Sequence, residues 1–294
     1  MAKKQKEYKM KEPWNWNKEL KLLPGYIMLI LWVLLTVVMI GWIFAASFST
    51  GREIYKGDLF KFASGIHFEN YITAWKAQNV SLFFLNSLFY ATISCVCIIL
   101  ISAPAAYVLS RYTFLGNKTI KTGFIMAMSV PAIMVVLPLF SLTSSGVLSK
   151  VPGRLILIVL YICMNIPFTT TFLLNFFGTL SKTYEEAAAM DGCSPMKTFW
   201  IIMLPLAQPG IITVSIFNFL AVWNEYFMSL IFASEEKYRS VGVGLFTLIN
   251  GLKQNGELGA LFAAVIIVFL PTFLIYIFLS EKIIAGVTGG GIKG

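Results

Sequence analysis

LFFLNSLFYATISCVCIILISAPAAYVL, residues 82–109, carries no charged side chain. A helix needs about 20 apolar residues to cross the hydrocarbon core of a bilayer, so this run is long enough to span one. Outward in both directions the same reading recurs, at residues 26–48, 123–142, 155–177, 211–232 and 260–279. Glu225 is the only charged residue in all six stretches. Composition agrees: 57% of the chain is apolar and 13% charged, a balance that excludes an ordinary soluble domain. The expected fold is an all-α membrane protein with six transmembrane helices. Pro104, Pro131, Pro138, Pro167 and Pro271 fall inside the spans, where each removes a backbone donor and kinks its helix. Such kinks either shape a gated cavity or serve packing alone.

The net charge of +9 fits membrane topology better than nucleic-acid binding, because membrane proteins concentrate Lys and Arg in cytoplasmic segments. Lys3, Lys4, Lys6, Lys9, Lys11, Lys18 and Lys21 precede the first span and place the N-terminus in the cytoplasm. Alternation then puts residues 111–122, 178–210 and the tail on the same side. Three regions follow: a basic, interfacial segment at 1–25, ended by Pro24 and Gly25; a six-span domain at 26–280; and a cytoplasmic tail at 281–294. Ala45, Ala46 and Ser47 imitate a signal-peptide cleavage site, but the preceding apolar run is longer than a typical signal core, so an uncleaved span is expected. Cys95, Cys97 and Cys163 lie in spans and Cys193 in a cytoplasmic loop, which predicts neither a disulfide nor a metal site. The single histidine, His67, has no partner for a relay.

Between the fourth and fifth spans, residues 181–205 read SKTYEEAAAMDGCSPMKTFWIIMLP. Thr183 and Glu186 have the spacing of a capping box, and Ala187, Ala188 and Ala189 are strong helix formers. Gly192 suits a left-handed helix end, Ser194 and Pro195 suit the start of a second helix, and Pro205 is expected to close it. The result is a small, alanine-rich helix with a carboxylate at its start: either a knob for a partner's cleft or a plain connecting helix pair.

The same loop resembles the cytoplasmic coupling loop of ABC importer permeases, whose pattern is Glu-Ala-Ala, three residues, Gly, nine residues, Ile, one residue, Leu-Pro. Glu186, Ala187, Ala188, Gly192, Ile202, Leu204 and Pro205 fit every position. Phe68-Glu69-Asn70-Tyr71 with Asn86-Ser87, Trp223-Asn224-Glu225-Tyr226, and the tail 286–294 resemble the carbohydrate branch, like the second permease of maltose-type importers. The resemblance implies the type I ABC importer transmembrane fold in a bacterial inner or plasma membrane, with both termini cytoplasmic. It implies that the fitted loop docks on an ATPase and that Gly289, Gly290, Gly291 and Lys293 reach into the ATPase dimer. The implied partners are a second homologous permease subunit, a cytoplasmic ATPase dimer, an extracellular or periplasmic sugar-binding protein and membrane lipid, with no nucleic acid. No cofactor is expected in this chain. The tail glycines lack P-loop spacing, so ATP and Mg are left to the partner ATPase, and no catalytic residue or enzyme activity is expected.

Glu225 is costly within a membrane, on the order of 3 kcal/mol at a helix centre, and is a functional candidate for that reason. Ser215, Asn218, Val222, Glu225 and Ser229 are spaced three and four apart and would form one polar stripe on a continuous fifth helix. Asn218, Glu225, Asn224 and Trp223 are expected to line the translocation path; alternatively Glu225 simply reaches water near the outer end. A secondary transporter or channel using Glu225 is the competing function.

Overall fold

A computed structural model describes residues 16–58, 64–76, 79–145 and 149–289, and among these all regular structure is helical. Fourteen α-helices follow in order among them, with a π-helical turn at Phe199–Met203 and a 3-10 turn at Glu236–Tyr238: α1 Trp16–Ser47, α2 Gly51–Lys56, α3 Glu69–Lys76, α4 Val80–Arg111, α5 Asn117–Met128, α6 Ala132–Ser144, α7 Gly153–Thr179, α8 Thr183–Met190, α9 Pro195–Thr198, α10 Leu204–Leu206, α11 Gln208–Trp223, α12 Phe227–Phe232, α13 Val241–Gln254 and α14 Leu258–Gly289.

Four of the expected spans are unbroken: α1, α4, α7 and α14 each hold a segment long and apolar enough to cross a bilayer. The other two are not single helices. The stretch 123–142 is divided between α5 and α6, which meet at 94° around Ser129–Pro131. Pro131 precedes α6 and cannot donate a backbone bond to the preceding turn, so the chain changes direction there. The stretch 211–232 ends as a helix at Trp223 and restarts at Phe227, while the chain before it, Pro195–Leu206, meets α11 at 73°. A mid-helix proline does not force a break by itself, since Pro104, Pro138, Pro167 and Pro271 lie within continuous helices.

Two further expectations are corrected. Pro24 and Gly25 do not end a separate interfacial helix; α1 runs through both, and the apolar run beyond them carries the helix on. Pro205 lies one residue short of the end expected of it: the helical run Pro195–Leu206 passes through it and the chain turns at Ala207.

The core is built on α4, which packs along most of α7 and against α11. Near one end, Tyr90, Leu157, Tyr161, Val222 and Phe232 form one buried cluster. Toward the other, Ala103, Tyr107, Phe177, Phe199, Met203 and Val214 form a second. α11 approaches α7 closely at Gly210, where a Cβ would stand 2.6 Å from the Phe176 ring. α14 is tied to α11 by the Thr213 hydroxyl, which donates to the Lys282 carbonyl at 3.1 Å.

The described residues of the segment after α1 are pinned in place. Asn70 Nδ2 donates to the Ser47 and Ser49 carbonyls, both at 3.0 Å, and the hydroxyls of Tyr71 and Ser47 are 2.7 Å apart. Asn86 Nδ2 donates to the carbonyls of Lys237 and Arg239, and Ser87 Oγ accepts the Val241 N–H at 2.8 Å. Side chains quoted above only for resemblance are thus staples between distant segments. Ala45 and Ala46 are buried against Ile54 and Phe262, inside the packed end of α1.

Candidate functional site

The α8–α9 loop has the helix, turn and helix expected, but not the expected start. Lys182 occupies the cap position of α8, and Thr183 is its first helical residue. Ser181 takes the capping part instead: its hydroxyl accepts the Thr183 N–H at 3.2 Å. The register moved by a residue because Ser181 and Thr183 are both good caps and spacing alone does not choose between them. At the far end Gly192 is left-handed, with φ of 76°. Its N–H donates to Ala189 O and that of Cys193 to Ala188 O, the bond pair of a Schellman turn. Ser194 then caps α9, accepting the Lys197 N–H, with Pro195 in the first turn. Phe199–Met203 is a π-helical turn.

Exposure divides the seven loop residues into two roles. Glu186, Ala187, Gly192 and Pro205 are exposed, while Ala188 is buried and Ile202 and Leu204 are half-buried against the Tyr107–Phe199 cluster. The spacing pattern therefore records both a presented surface and the means of seating it. Met190 and Met196 extend the exposed face, at 84% and 68% exposure.

The loop is held to the membrane helices by residues that motif spacing passed over. Arg111, the last residue of α4, places Nε 2.9 Å from Glu185 Oε1, and its Nη2 donates to the Leu180 carbonyl at 2.8 Å. The two side chains are 6% and 20% exposed, and Tyr107 engages the same carboxylate. A cavity of about 230 Å³ beside them is lined by Tyr107, Arg111, Lys182, Glu185 and Cys193, among others. The sequence signal was a charged residue closing a long uncharged run, with a second glutamate beside Glu186.

The polar stripe of the fifth span is not continuous. Glu225 lies in the break between α11 and α12, where its carboxylate accepts from the Met228 and Ser229 amides at 2.6 and 3.0 Å and from the Tyr161 hydroxyl at 2.7 Å. It satisfies the first turn of α12 and joins it to α7. Asn218 is 1% exposed and pairs with Thr169 of α7, its Nδ2 donating to Oγ1 at 2.9 Å. Trp223 is buried, stacks on Phe219 and donates Nε1–H to the Val268 carbonyl at 3.2 Å. Asn224 is exposed, with its amide bonded back to Leu220. Three of the four residues assigned to a path thus have a partner elsewhere in the chain, and Tyr161 and Thr169 are partners that sequence reading missed. Between α4, α11 and α14 runs a groove of about 530 Å³, almost wholly apolar, with Thr92, Cys95 and Ser215 its polar positions. In the tail, Gly289 ends α14; Gly290, Gly291 and Lys293 lie outside the described residues.

Comparison with known proteins bears on this geometry. The diacetylchitobiose uptake system permease protein NgcG of Streptomyces coelicolor is 32% identical, across 92% of this chain and 88% of its own length. The trehalose transport system permease protein SugB of Mycobacterium tuberculosis is 27% identical, across 90% and 97%. A crystal structure of a bacterial ABC transporter involved in import of the acidic polysaccharide alginate superposes with a TM-score of 0.78 at 21% identity, over 92% of this chain and 99% of that one, a likeness of fold. Residues 98–281 match the profile of a binding-protein-dependent transport system inner membrane component, a stretch that holds both the Arg111–Glu185 pair and Glu225. On that match, together with the NgcG likeness, this multi-pass membrane chain belongs to the family of binding-protein-dependent transport system inner membrane components.

Proposed function

We propose that this chain is a permease subunit of an ATP-driven carbohydrate importer, supplying half of the pore and docking on a separate ATPase through the α8–α9 loop. The observation that carries the reading is the loop itself: a capped, Gly192-terminated helix that presents Glu186 and Ala187 outward while Ala188, Ile202 and Leu204 seat it on the core. Sugars enter through the relatives, whose names specify diacetylchitobiose, trehalose and maltodextrin. The family description supports a binding protein as partner, and one structural neighbour was solved with an alginate pentasaccharide-bound periplasmic protein. A second homologous permease, an ATPase dimer holding ATP and Mg, and contact of the Gly289-to-Lys293 tail with that dimer complete the assembly. Both termini and the α8–α9 loop face the cytoplasm. Asn224 is the exposed candidate for the path, with Asn218, Trp223 and Glu225 shaping it from behind.

A secondary transporter working through Glu225 has less support, because three donors already occupy that carboxylate. The test is to co-express the chain with its candidate ATPase, second permease and binding protein and purify through this chain. The wild type should bring the ATPase with it, and sugar-loaded binding protein should raise ATP hydrolysis. Glu186→Lys should lose both, by at least about tenfold in stimulation. Solute movement by the purified chain alone down an ion gradient would overturn the reading.

A further inference from the structure

α8 packs mainly on α9 and the π-helical turn, elements of its own loop. On the α4 side a cavity of about 230 Å³ interrupts continuous packing between α8 and the membrane helices. A displacement of α8 therefore reaches the bundle by two routes. One is the covalent chain, which leads through residues 180–182 to α7 and, at the other end, through α9. The other is the ion pair of Glu185 with Arg111, which bridges the gap directly to α4.

The second route is short and buried. The guanidinium is planar and always charged, so one side chain meets two partners: Leu180 through a hydrogen bond, and Glu185 through charge, since the Nε contact lacks hydrogen-bond geometry. Here Nε faces Glu185 at the start of α8 and Nη2 holds the carbonyl of Leu180 at the end of α7. Both side chains are largely removed from water, where an ion pair is less screened than at the surface and leaving one charge behind is unfavourable. Arg111 is also the last residue of a 32-residue helix that forms the centre of the core and one wall of the apolar groove. Rotating or lifting that end loads the last turns of α4 and, past Pro104, the packed segment that lines the groove, since close-packed interiors transmit strain. Glu186 and Glu185 then divide the labour. Glu186 points outward, and Glu185, one residue before it, points inward.

We infer that Arg111 is the positioning residue through which movement of the α8 helix is passed to α4, with Glu185 as its grip on the loop. The inference rests on the importer reading given above. It predicts that breaking the pair uncouples ATP hydrolysis from transport without removing the ATPase, because the exposed docking face is untouched.

The experiment uses the complete importer in proteoliposomes, with phosphate release and uptake of labelled diacetylchitobiose, trehalose and maltotriose measured in parallel. Arg111→Gln and Glu185→Gln should retain the ATPase on purification while uptake per ATP hydrolysed falls roughly tenfold. The reversed pair, Arg111→Glu with Glu185→Arg, should recover part of that ratio. Because a variant can fail to assemble, a second measurement uses a nitroxide pair at Met190, exposed on α8, and Leu115, exposed in the turn that leaves α4. In the wild type with the native pair, their separation should stay narrow with and without nucleotide, and in Glu185→Gln it should broaden. Wild-type uptake-to-hydrolysis ratios in both single variants would overturn the inference, as would loss of the ATPase from both, which would make the pair a scaffold for docking. A wild-type complex that retains no ATPase would instead sink the importer reading itself.

Discussion

Glu225 shows how the surroundings of a charged side chain decide its meaning. A lone carboxylate in a membrane span is a functional candidate because an unpaired charge there is unfavourable. In this chain the carboxylate is hydrogen-bonded on both oxygens. Two amides of the first turn of α12 and the Tyr161 hydroxyl converge on it, so it holds a helix start and a contact to α7 at once. Glu225→Gln leaves one carbonyl oxygen where two oxygens accepted three donors, and should lower stability by about 1–3 kcal/mol. Tyr161→Phe, which removes a single donor, should cost less, on the order of 1 kcal/mol. Thermal unfolding in detergent, paired with uptake per assembled complex, checks the assignment. A fold-stabilising role predicts lower stability in both variants. Normal stability with uptake abolished in Glu225→Gln would return the residue to the translocation path. The sequence carried the residue and its rarity, but not this geometry. Helical spacing assumed that 211–232 is one helix, and neither the turn at Asn224 nor the partner 64 residues away on α7 leaves a local signal.

Elements were legible where local chemistry is self-contained and less so where tertiary contacts arbitrate. The Gly192 turn and the Ser194-Pro195 helix start follow from side chains acting within a few residues, and both formed as read. The start of α8 slipped by one position because two hydroxyls compete there. α1 outran its proline and glycine on a stretch exposed along its length, and the third and fifth spans broke at points that an apolar run does not mark. The staple around α2 is a similar case. Glu53 completes a capping box with Thr50, accepting the Thr50 N–H at 2.9 Å, and its other oxygen accepts the Ser64 N–H and hydroxyl at 2.9 and 2.8 Å. The backbone bond from Thr50, followed by those from Ser64, lowers its pKa from 4.5 to about 2. A lowered folded-state pKa contributes stability that is complete above the unfolded value and is lost as pH falls toward the folded one. Amide exchange at residues 50–58 should therefore be slow and flat at neutral pH, then accelerate as pH drops from about 4.5 toward about 2, after correction for intrinsic rates. Glu53→Ala should exchange fast already at pH 7. A wild-type profile without that acid transition would mean that the loop is held by the Asn70 and Tyr71 bonds alone.

At the scale of the whole molecule, orientation is the property that ties the loop to its proposed partner. The two ends of the bundle are distinct. One gathers α8, α9, the end of α4 and the Tyr107–Phe199 cluster; the other gathers α2, α3, α13 and the staples from Asn86 and Ser87. The lysines before α1 argue that the first of these ends is cytoplasmic, since basic residues close to a first span bias its insertion strongly. The loops at the opposite end hold basic residues too, Arg52, Lys56, Lys76 and Lys237 among them, so the bias rests on the N-terminal segment. A docking surface for a soluble ATPase requires the α8 end inside. The check replaces Cys95, Cys97, Cys163 and Cys193 by Ser and adds one cysteine at a time, at Tyr55 on α2 or at Met190 on α8, which are 75% and 84% exposed. A membrane-impermeant maleimide applied to intact cells (spheroplasts if the host has an outer membrane) should label Tyr55→Cys and leave Met190→Cys unmodified; Met190→Cys should react only after permeabilisation. With the ATPase co-expressed, the permeabilised reaction of Met190→Cys should slow several-fold, because the partner covers that face. The reverse pattern would put α8 outside the cell, where no ATPase could reach it, and the loop would then be a connecting helix pair and nothing more.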